Sequence, residues 1–552
     1  MLKQSIIKYL SDSFKLFWLI LAFGIFFRVI NFPGIPAGLN QDEVAAGYEA
    51  FSLLHSGADK WGNILPAYFV AWGSGQSVLL SYLQIPFIYI FGLNVFSIRL
   101  PSLILGILIL PLIYKLAQKW FDTKTALIAL LLASFLPWPV VISRWGLEAN
   151  ILPFFIILGL YLITLSLEIY QKNILKLSQK ILILVSLLPF SLALYAYGLS
   201  IIPVAIFIII FIFSYKKYLL KHKSLAISSI LIFGFFSIPM ALFVIKNNIL
   251  KTNLGFEKYL GFTIPLLNSN RLTQINDGFI TTIASNFYFI VAGFPDSISW
   301  NNDPVFLPLG LFSFPFLAIG IYFLINKKSF NFKKFQSNSS LNLALIWLLS
   351  FSPLLFFVPI NTTRSNSILY LIIILIAFGI TKLSEQIADP IFSKYFFKIS
   401  VVWIILYGVV FQLNYNFLYP KKVEVEFNRG IENTLEIAKN KATPGEQIYL
   451  TKEVLINYVY PLFVFEIQPE EFRAKADIKI DDSGYNVHSF DNFVFDKNYL
   501  KLENQATWLA ILKPCQNNWC DRLNTLNNNQ NCYKNDVLYE TDVWQIVRCY
   551  SR

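Results

Sequence analysis

The sequence predicts an α-helical, polytopic membrane protein with a small α/β domain at its C-terminal end. Hydrophobic residues make up 56% of the 552 residues and charged residues only 14%, whereas an ordinary soluble domain carries about 25% charged residues. Long apolar runs recur before residue 420, and the polar remainder holds all the cysteines, which are Cys515, Cys520, Cys532 and Cys549. This composition excludes a disordered chain and a coiled coil.

Eleven apolar runs are long enough to be membrane spans, for which about 20 apolar residues are needed. They cover residues 14–32, 98–117, 125–143, 151–169, 181–197, 199–215, 224–245, 305–325, 341–359, 367–381 and 399–418. A further run, 77–92, has 16 residues and a central Pro86, and we interpret it as a helix lying at the membrane interface. The first run is not followed by a small-residue cleavage site, so we interpret it as a span and not as a signal peptide.

The basic residues predict the orientation of the chain. With 77–92 at the interface, one set of short connectors holds 19 lysines, whereas the other and longer set holds 7 lysines and arginines. Cytoplasmic connectors carry the excess of positive charge. We therefore expect a protein of the cell (inner or plasma) membrane with its N-terminus in the cytoplasm. The net charge of +12 is a topology signal, and no nucleic-acid partner is expected.

Two domains are predicted, a transmembrane domain at 1–420 and an exocytoplasmic soluble domain at 421–552. In the second domain, QIYL and TWLAILK predict strands and IENTLEIAKNKA predicts a helix. Because cysteines outside the cytoplasm are exposed to oxidising conditions, we expect one or two disulfides there. The pairing stays open among the connectivities that four cysteines allow.

Charged side chains in the outer loops are the candidates for chemistry. The predicted spans are almost free of ionisable side chains, which argues against an ion-coupled transporter. The first outer loop carries Asp42 and Glu43 before a helical segment that ends near Gly57. Asp42 could cap this helix, with Glu43 in its first turn. Alternatively, the two carboxylates form a site in which one acts as a general base or binds a cation.

Other outer loops add an acid and three arginines. Arg144 and Glu148 lie between the third and fourth spans, where a spacing of four would let them pair on one helix face or contribute to an outer site. Arg364 lies between the ninth and tenth spans and could reach lipid headgroups or bind a phosphate through its planar guanidinium. Arg271 lies in the long loop 246–304, and loops of this length are often functional.

Several segments together resemble the GT-C class of membrane glycosyltransferases. The resemblance is to bacterial family 39-like enzymes, relatives of protein O-mannosyltransferases and lipid A aminoarabinose transferases, and it covers roughly the first 420 residues. It rests on Leu39-Asn40-Gln41-Asp42-Glu43 with Gly47-Tyr48, on Pro137-Trp138 with Ser143-Arg144 and Glu148-Ala149-Asn150, on Phe96-Ser97-Ile98-Arg99-Leu100-Pro101-Ser102, and on Tyr195-Ala196-Tyr197. The aminoarabinose transferases have a Lys-Pro pair after the first loop helices, whereas this chain has Gly75-Gln76-Ser77.

The resemblance implies transfer of a sugar from a polyprenyl-phosphate donor to an acceptor hydroxyl or amine at the outer face of the membrane. The acceptor would be a lipid, a glycan or a protein. Asp42 and Glu43 are the expected catalytic residues, with Asp42 as the base. A single base with direct displacement implies inversion at the sugar. The expected substrate-binding residues are Tyr48, Gln76, Arg99, Arg144, Glu148, Arg271 and Arg364, and the arginines among them would stabilise the departing phosphate.

Two other functions are open alternatives. A lipid or polysaccharide exporter would need a continuous polar path through the spans, which the sequence does not indicate. A non-catalytic scaffold would depend on residues 421–552 and not on Asp42. No cofactor is expected, and no cluster of His or Asp side chains indicates a divalent metal site. Membrane lipids are expected partners.

Overall fold

A computed structural model describes the parts of the chain on which the following account rests. These are residues 2–71, 75–251, 258–259, 261–267, 278–296, 298, 300–301, 303, 305–326, 339–481, 484–496, 500, 507–513, 532 and 534–550. Helices dominate up to residue 422, and most strands follow residue 447. The order of elements therefore agrees with a helical membrane protein that carries a C-terminal α/β domain.

The helices are named in chain order. They are α1 (Leu2–Val29), α2 (Gln41–Ser56), α3 (Leu79–Phe91), α4 (Val95–Trp120), α5 (Thr123–Phe135), α6 (Pro137–Val141), α7 (Leu152–Tyr170), α8 (Leu177–Val185), α9 (Leu188–Ala196), α10 (Ile201–Lys221), α11 (Lys223–Val244), α12 (Phe279–Val291), α13 (Ser313–Asn326), α14 (Ser339–Phe357), α15 (Leu369–Gln386), α16 (Pro390–Phe417), α17 (Tyr419–Lys422), α18 (Ile431–Lys441), α19 (Val459–Val464) and α20 (Pro469–Lys475). Glu148–Ile151 and Gly198–Ser200 form 3₁₀ turns, and Ile245–Leu250 forms a π-helix.

All eleven predicted spans fall on helices, which confirms the predicted fold class. Within the described residues, seven helical stretches are long and apolar enough to cross a membrane: Val95–Trp120, Glu148–Tyr170, Leu177–Ala196, Gly198–Lys221, Lys223–Leu250, Leu369–Gln386 and Pro390–Phe417. Shorter apolar helices lie at Leu79–Phe91, Thr123–Phe135, Phe279–Val291, Ser313–Asn326 and Asn342–Phe357. The protein is therefore embedded in a membrane.

Prolines interrupt two of the predicted spans. The run 125–143 divides at Leu136 into α5 and α6, because Pro137 lacks the N–H needed to continue the first helix. The run 181–197 divides near Pro189 into α8 and α9. In each case proline occupies the first turn of the second helix, where a missing N–H carries no cost.

Two short helices bear on the predicted topology. The run 77–92 forms α3, whose 13 residues correspond to about 20 Å, less than the roughly 30 Å of a bilayer core. This length is compatible with the interfacial position predicted for it. Helix α12 also has 13 residues and falls in the loop 246–304, where no helix was predicted.

The chain forms two compact units. The first, the membrane unit, comprises Met1–Phe32, Pro101–Leu242 and Arg271–Tyr419. In this unit α13 and α15 cross closely, because a Cβ on Gly379 would lie 1.9 Å from the carbonyl oxygen of Phe316. A Cβ on Gly320 would lie 2.2 Å from the carbonyl oxygen of Leu375. The two glycines therefore let the helix backbones approach closely.

The second, the sheet unit, comprises Pro33–Leu100, Phe243–Asn270 and Pro420–Arg552. The strands are β1 (Lys258–Tyr259), β2 (Phe262–Thr263), β3 (Ile448–Leu450), β4 (Asp477–Asp481), β5 (Gly484–Phe490), β6 (Phe493–Val494), β7 (Thr507–Leu512), β8 (Lys534–Glu540) and β9 (Gln545–Tyr550). In the large sheet the order is β4-β5-β6-β3-β7-β9-β8, with β3 parallel to β6 and β7 and the other pairs antiparallel.

The strand and helix predictions for the C-terminal segment are confirmed. QIYL contains β3, TWLAILK contains β7, and IENTLEIAKNKA contains α18. A disulfide joins Cys532 to Cys549, and Cys515 and Cys520 lie outside the described residues. Helix α2 is part of the same hydrophobic core as the sheet, through Val44, Tyr48 and Phe51. The sheet unit therefore includes the first loop as well as residues 421–552.

Candidate functional site

The first loop starts helix α2 with a capping box. Asn40 is the N-cap, and its side chain accepts from the backbone N–H of Asp42 at 3.0 Å. The carboxylate of Glu43 accepts from the backbone N–H of Asn40 at 3.0 Å. Because Asn40 caps the helix, the interpretation of Asp42 as the N-cap is wrong. Asp42 lies in the first turn, where a carboxylate is stabilised by the helix dipole.

Glu43 forms a buried ion pair with Arg99, and neither side chain is exposed to solvent. The Arg99 Nε donates to Glu43 at 3.0 Å, and Nη2 contacts the other carboxylate oxygen and the carbonyl of Gly38. Nη1 donates to the carbonyls of Pro33 and Pro36, each at 2.7 Å. All five N–H groups of Arg99 are thus used inside the sheet unit. Arg99 therefore fixes the loop before α2 and the first turn of that helix.

The structure brings Asp42 and Gln76 together. The Gln76 Nε2 donates to the backbone carbonyl of Asp42 at 3.0 Å, and the backbone of Gln76 pairs with that of Phe69. Gln76 is buried, whereas Asp42 is half-buried. A buried amide oxygen of Gln76 has no hydrogen-bond partner among the described residues. The segment Gly75-Gln76-Ser77, which replaces the Lys-Pro pair of the aminoarabinose transferases, therefore lies beside the candidate base Asp42.

Tyr48 is packed in the core of the sheet unit. Its hydroxyl donates to the carbonyl of Ile467 at 2.8 Å, and its ring stacks on Phe51. The side chain is 0% exposed, and burial raises the pKa of its hydroxyl. In this conformation the ring does not offer a face to a sugar. The presence of Tyr48 in the motif is therefore accounted for by its packing in the core of the sheet unit.

Sequence reasoning missed a buried ion pair between Glu49 and Lys60. The Lys60 ammonium contacts the Glu49 carboxylate, and the Lys60 backbone N–H donates to it at 2.9 Å. Burial raises the pKa of Glu49 to about 7 against the opposing effect of Lys60. No local pattern in the sequence marks this pair, because the two residues are 11 positions apart and meet only after the chain turns at Gly57.

A second residue that sequence reasoning missed is Lys246. It lies on the π-helix Ile245–Leu250, a form often found at functional sites, and is buried. Its ammonium donates to the carbonyl of Ile264 at 2.8 Å, and the neighbouring Asn247 accepts from the N–H of Leu267 at 2.6 Å. A Cβ on Gly75 would lie 2.8 Å from the Leu267 side chain. A buried cation is therefore anchored to the segment that packs on Gly75, next to Gln76.

In the membrane unit, Arg144 holds the end of α1. Its guanidinium is 0% exposed and donates to the carbonyls of Phe27, Arg28 and Ile30 at 2.7–3.1 Å. These are carbonyls at the C-terminal end of α1, where a cation is favoured. The residues between Arg144 and Glu148 do not form a helix, so the two side chains do not share a helix face as predicted. Glu148 is buried at the start of a 3₁₀ turn.

The loop that carries Arg364 is joined to the turn that carries Glu148. Arg364 is half-buried, with Nη1 donating to the carbonyl of Pro359 at 2.6 Å. Asn366 accepts from the indole N–H of Trp138 at 3.0 Å and donates to the carbonyl of Ala149 at 2.8 Å. Asn366 therefore sets the spacing between these two predicted site segments. Arg271, the remaining predicted site residue, lies outside the described residues.

The described residues contain no group of three His, Cys, Asp or Glu side chains that could hold a metal ion. The expectation that the chain carries no cofactor stays a prediction.

Comparisons with known proteins agree with this architecture. Residues 76–242, less than a third of the chain, match the family described as dolichyl-phosphate-mannose-protein mannosyltransferase. The apo structure of ArnT from Cupriavidus metallidurans superposes with a TM-score of 0.53 at 13% identity, covering 99% of this chain and 98% of that one. The structure of ArnT bound to undecaprenyl phosphate superposes with a TM-score of 0.54 at the same identity and coverage. The chain has the GT-C glycosyltransferase fold. None of the curated proteins matches the sequence.

The GT-C fold covers both units of the chain, including the C-terminal sheet, because the superposition with ArnT extends over nearly the full length of each protein. The exporter alternative gains no support from these matches.

Proposed function

We propose that the chain is a membrane glycosyltransferase that moves a sugar from a polyprenyl-phosphate donor to an acceptor hydroxyl or amine. The observation that carries the proposal is the half-buried carboxylate of Asp42, held in the first turn of α2 by a capping box and by Gln76. The fold that contains it is shared with a protein solved with undecaprenyl phosphate. A fixed carboxylate suits a reaction in which the acceptor must lose a proton.

Asp42 is the proposed base, and Glu43 is the proposed positioning residue. Both carboxylate oxygens of Glu43 are engaged by Arg99, and one also accepts from Asn40. This carboxylate is therefore committed to a buried ion pair within the sheet unit. Asp42 is the residue immediately before Glu43, and its side chain is more exposed. The Glu43–Arg99 pair therefore orients the turn from which Asp42 acts.

The leaving group is a phosphate, which needs cations and not a proton. Arg99 has no N–H left for this role, so we propose Lys246 as the phosphate-binding cation of the sheet unit. An ammonium in a buried setting interacts with a phosphate more strongly than one in water. Glu148, Arg271 and Arg364 keep the substrate-binding roles predicted for them, whereas Arg144, which is buried and holds the end of α1, is proposed as a positioning residue.

The reaction that follows balances with these groups. The acceptor oxygen or nitrogen gives its proton to Asp42 and forms the new bond to the anomeric carbon. The bond between that carbon and the phosphate oxygen breaks, and polyprenyl phosphate leaves as an anion. Because no second carboxylate is proposed as a nucleophile, the product has inverted configuration.

We propose that the reaction takes place at the outer face of the plasma membrane, with the N-terminus in the cytoplasm. Reporter positions for this orientation must be exposed, which excludes Lys60 of the first loop because it is buried. Lys475 is an exposed residue of the sheet unit and Lys217 an exposed residue at the end of α10. A membrane-impermeant thiol reagent should label a cysteine at Lys475 from outside, and not one at Lys217. Labelling of Lys217 alone would reverse the orientation.

The reaction class is tested with the purified full chain in liposomes that contain a polyprenyl-phosphate sugar. Envelope material from cells lacking the chain supplies the acceptor, and mass spectrometry follows free polyprenyl phosphate and new glycoconjugates. We expect both products to form together and to be lost in Asp42→Asn. The control is Asp477→Asn, which makes the same chemical change at an exposed aspartate on β4. The proposal would be contradicted if the polyprenyl-phosphate sugar stayed intact with every fraction of envelope material.

A further inference from the structure

A long apolar groove runs along α1 in the membrane unit. It lies between α1, α5 and α16 and encloses about 560 Å³. Leu16, Leu19 and Phe23 line it on α1 and are each partly exposed, and Leu131 of α5 and Ile405 of α16 face it. None of the residues assigned to the transfer reaction lines this groove. It is therefore independent of the proposed activity.

The length of the groove matches one leaflet of a bilayer. From Leu16 to Phe27 the lining extends over 11 residues of α1, which corresponds to about 17 Å along the helix axis. Half of a bilayer core is about 15 Å thick. A single extended hydrocarbon chain entering from one surface would thus be covered along its whole length.

The polar groups of the groove lie together at one end. Asp12 and Ser13 precede the apolar lining by one turn of α1, and Lys124 lies in the first turn of α5. The Lys124 ammonium is 4.1 Å from the centre of the Phe397 ring, a cation–π contact that holds it beside the groove. Asp12 is exposed. This end therefore presents one cation and one anion next to an apolar channel.

We propose that the groove binds one phospholipid with a zwitterionic ethanolamine headgroup. The acyl chain lies along α1, the lipid phosphate pairs with Lys124, and the ammonium of the headgroup pairs with Asp12. In this lipid both the phosphate and the ammonium have a partner of opposite charge, whereas an anionic lipid has no ammonium to pair with Asp12. The headgroup end of the site lies at Asp12, and the apolar lining extends along α1 to Phe27, whose carbonyl Arg144 holds. The acyl chain would thus run from Asp12 towards the end of α1 that Arg144 holds.

Native mass spectrometry of the purified full chain, titrated with phosphatidylethanolamine or phosphatidylglycerol of the same acyl composition, tests the headgroup. We expect tighter retention of phosphatidylethanolamine, and a loss of about tenfold in its affinity in Lys124→Ala. Lys115→Ala removes an exposed lysine outside the groove and serves as the matched control. Asp12→Asn should abolish the preference between the two lipids. Equal affinities in Lys124→Ala and Lys115→Ala would overturn the proposal.

A matched pair of substitutions on α1 tests the acyl chain. Phe23→Trp fills the groove, whereas Phe26→Trp changes an exposed ring of the same helix outside it. We expect only Phe23→Trp to weaken retention of phosphatidylethanolamine. A polyprenyl phosphate that displaces this lipid from the wild-type chain, with the same sensitivity to Phe23→Trp, would show that the groove holds an isoprenoid carrier and would contradict the assignment.

Discussion

Replacing Arg99 by methionine removes the residue that joins the first loop to its helix. Methionine retains much of the volume but none of the five N–H groups that bind Glu43 and the carbonyls of Pro33, Pro36 and Gly38. Removing one partner of a buried ion pair costs about 3–5 kcal/mol, because the other charge stays buried. For a unit of this size we therefore expect the melting temperature to fall by about 6–20 °C.

Thermal unfolding of the purified full chain in detergent provides the assay, with donor turnover measured on the same samples. Arg473→Met is the matched control, because Arg473 lies in the same sheet unit but pairs with Glu470 near the surface. Surface pairs contribute about 0–1 kcal/mol, so its melting temperature should change little. The double variant Glu43→Leu/Arg99→Met should recover part of the loss, since no carboxylate is then left buried alone.

The reasoning would be refuted by an Arg99→Met variant as stable as Arg473→Met. Loss of turnover at unchanged stability would instead show that Arg99 acts on the substrate and does not serve as a positioning residue.

Three further predictions follow from buried polar groups. Lys60→Met should destabilise the chain by about 3–5 kcal/mol, and Glu49→Leu/Lys60→Met should recover most of that loss in thermal unfolding. Burial lowers the pKa of Lys513 from 10.5 to about 8, so the unfolded chain binds more protons between these pH values. The free energy of unfolding should therefore rise by at most about 3 kcal/mol from pH 8 to 10.5, and Lys513→Met should lack the rise. Asn366→Ala should lower donor turnover about tenfold and stability by about 1–3 kcal/mol; unchanged turnover would separate this loop from the reaction.

The helices and the strands of the C-terminal segment could be predicted because their signals are local. An apolar run of sufficient length has few alternatives to a membrane helix. The division of two runs at Pro137 and Pro189 was not predicted. Proline alone does not mark the end of a helix in this chain, because α4 continues through Pro101 and Pro111. Helix α12 was missed because its 13 residues carry no strong length signal and lie in a loop otherwise rich in polar residues.

The roles within the first loop could not be read from the motif alone. The sequence makes Asp42 a candidate for the cap of α2, whereas Asn40 is the N-cap, and the residue type does not exclude either because both side chains suit that position. The motif also did not reveal that all five N–H groups of Arg99 donate to Glu43 and to backbone carbonyls. Arg99 lies 56 positions from Glu43 in the chain. Such contacts depend on the tertiary packing of the sheet unit.

Lys60 and Lys246 are two further residues whose contacts could not be predicted from the sequence. Both belong to the seven basic residues counted in the predicted outer connectors, where they served only to predict the orientation of the chain. In the structure Lys60 is paired with Glu49, and Lys246 is anchored on a π-helix. Neither the partner nor the irregular helix has a signature in the local sequence.

The most direct measurement of the central claim is the single-turnover rate of sugar transfer in Asp42→Asn. Asparagine has the shape of aspartate but cannot accept the acceptor's proton, so the rate should fall by about 100- to 10,000-fold. The melting temperature should stay close to that of the wild-type chain, because Asp42 is half-buried and the capping box is made by Asn40 and Glu43. Transfer within about twofold of the wild-type rate would contradict the assignment of Asp42 as the base.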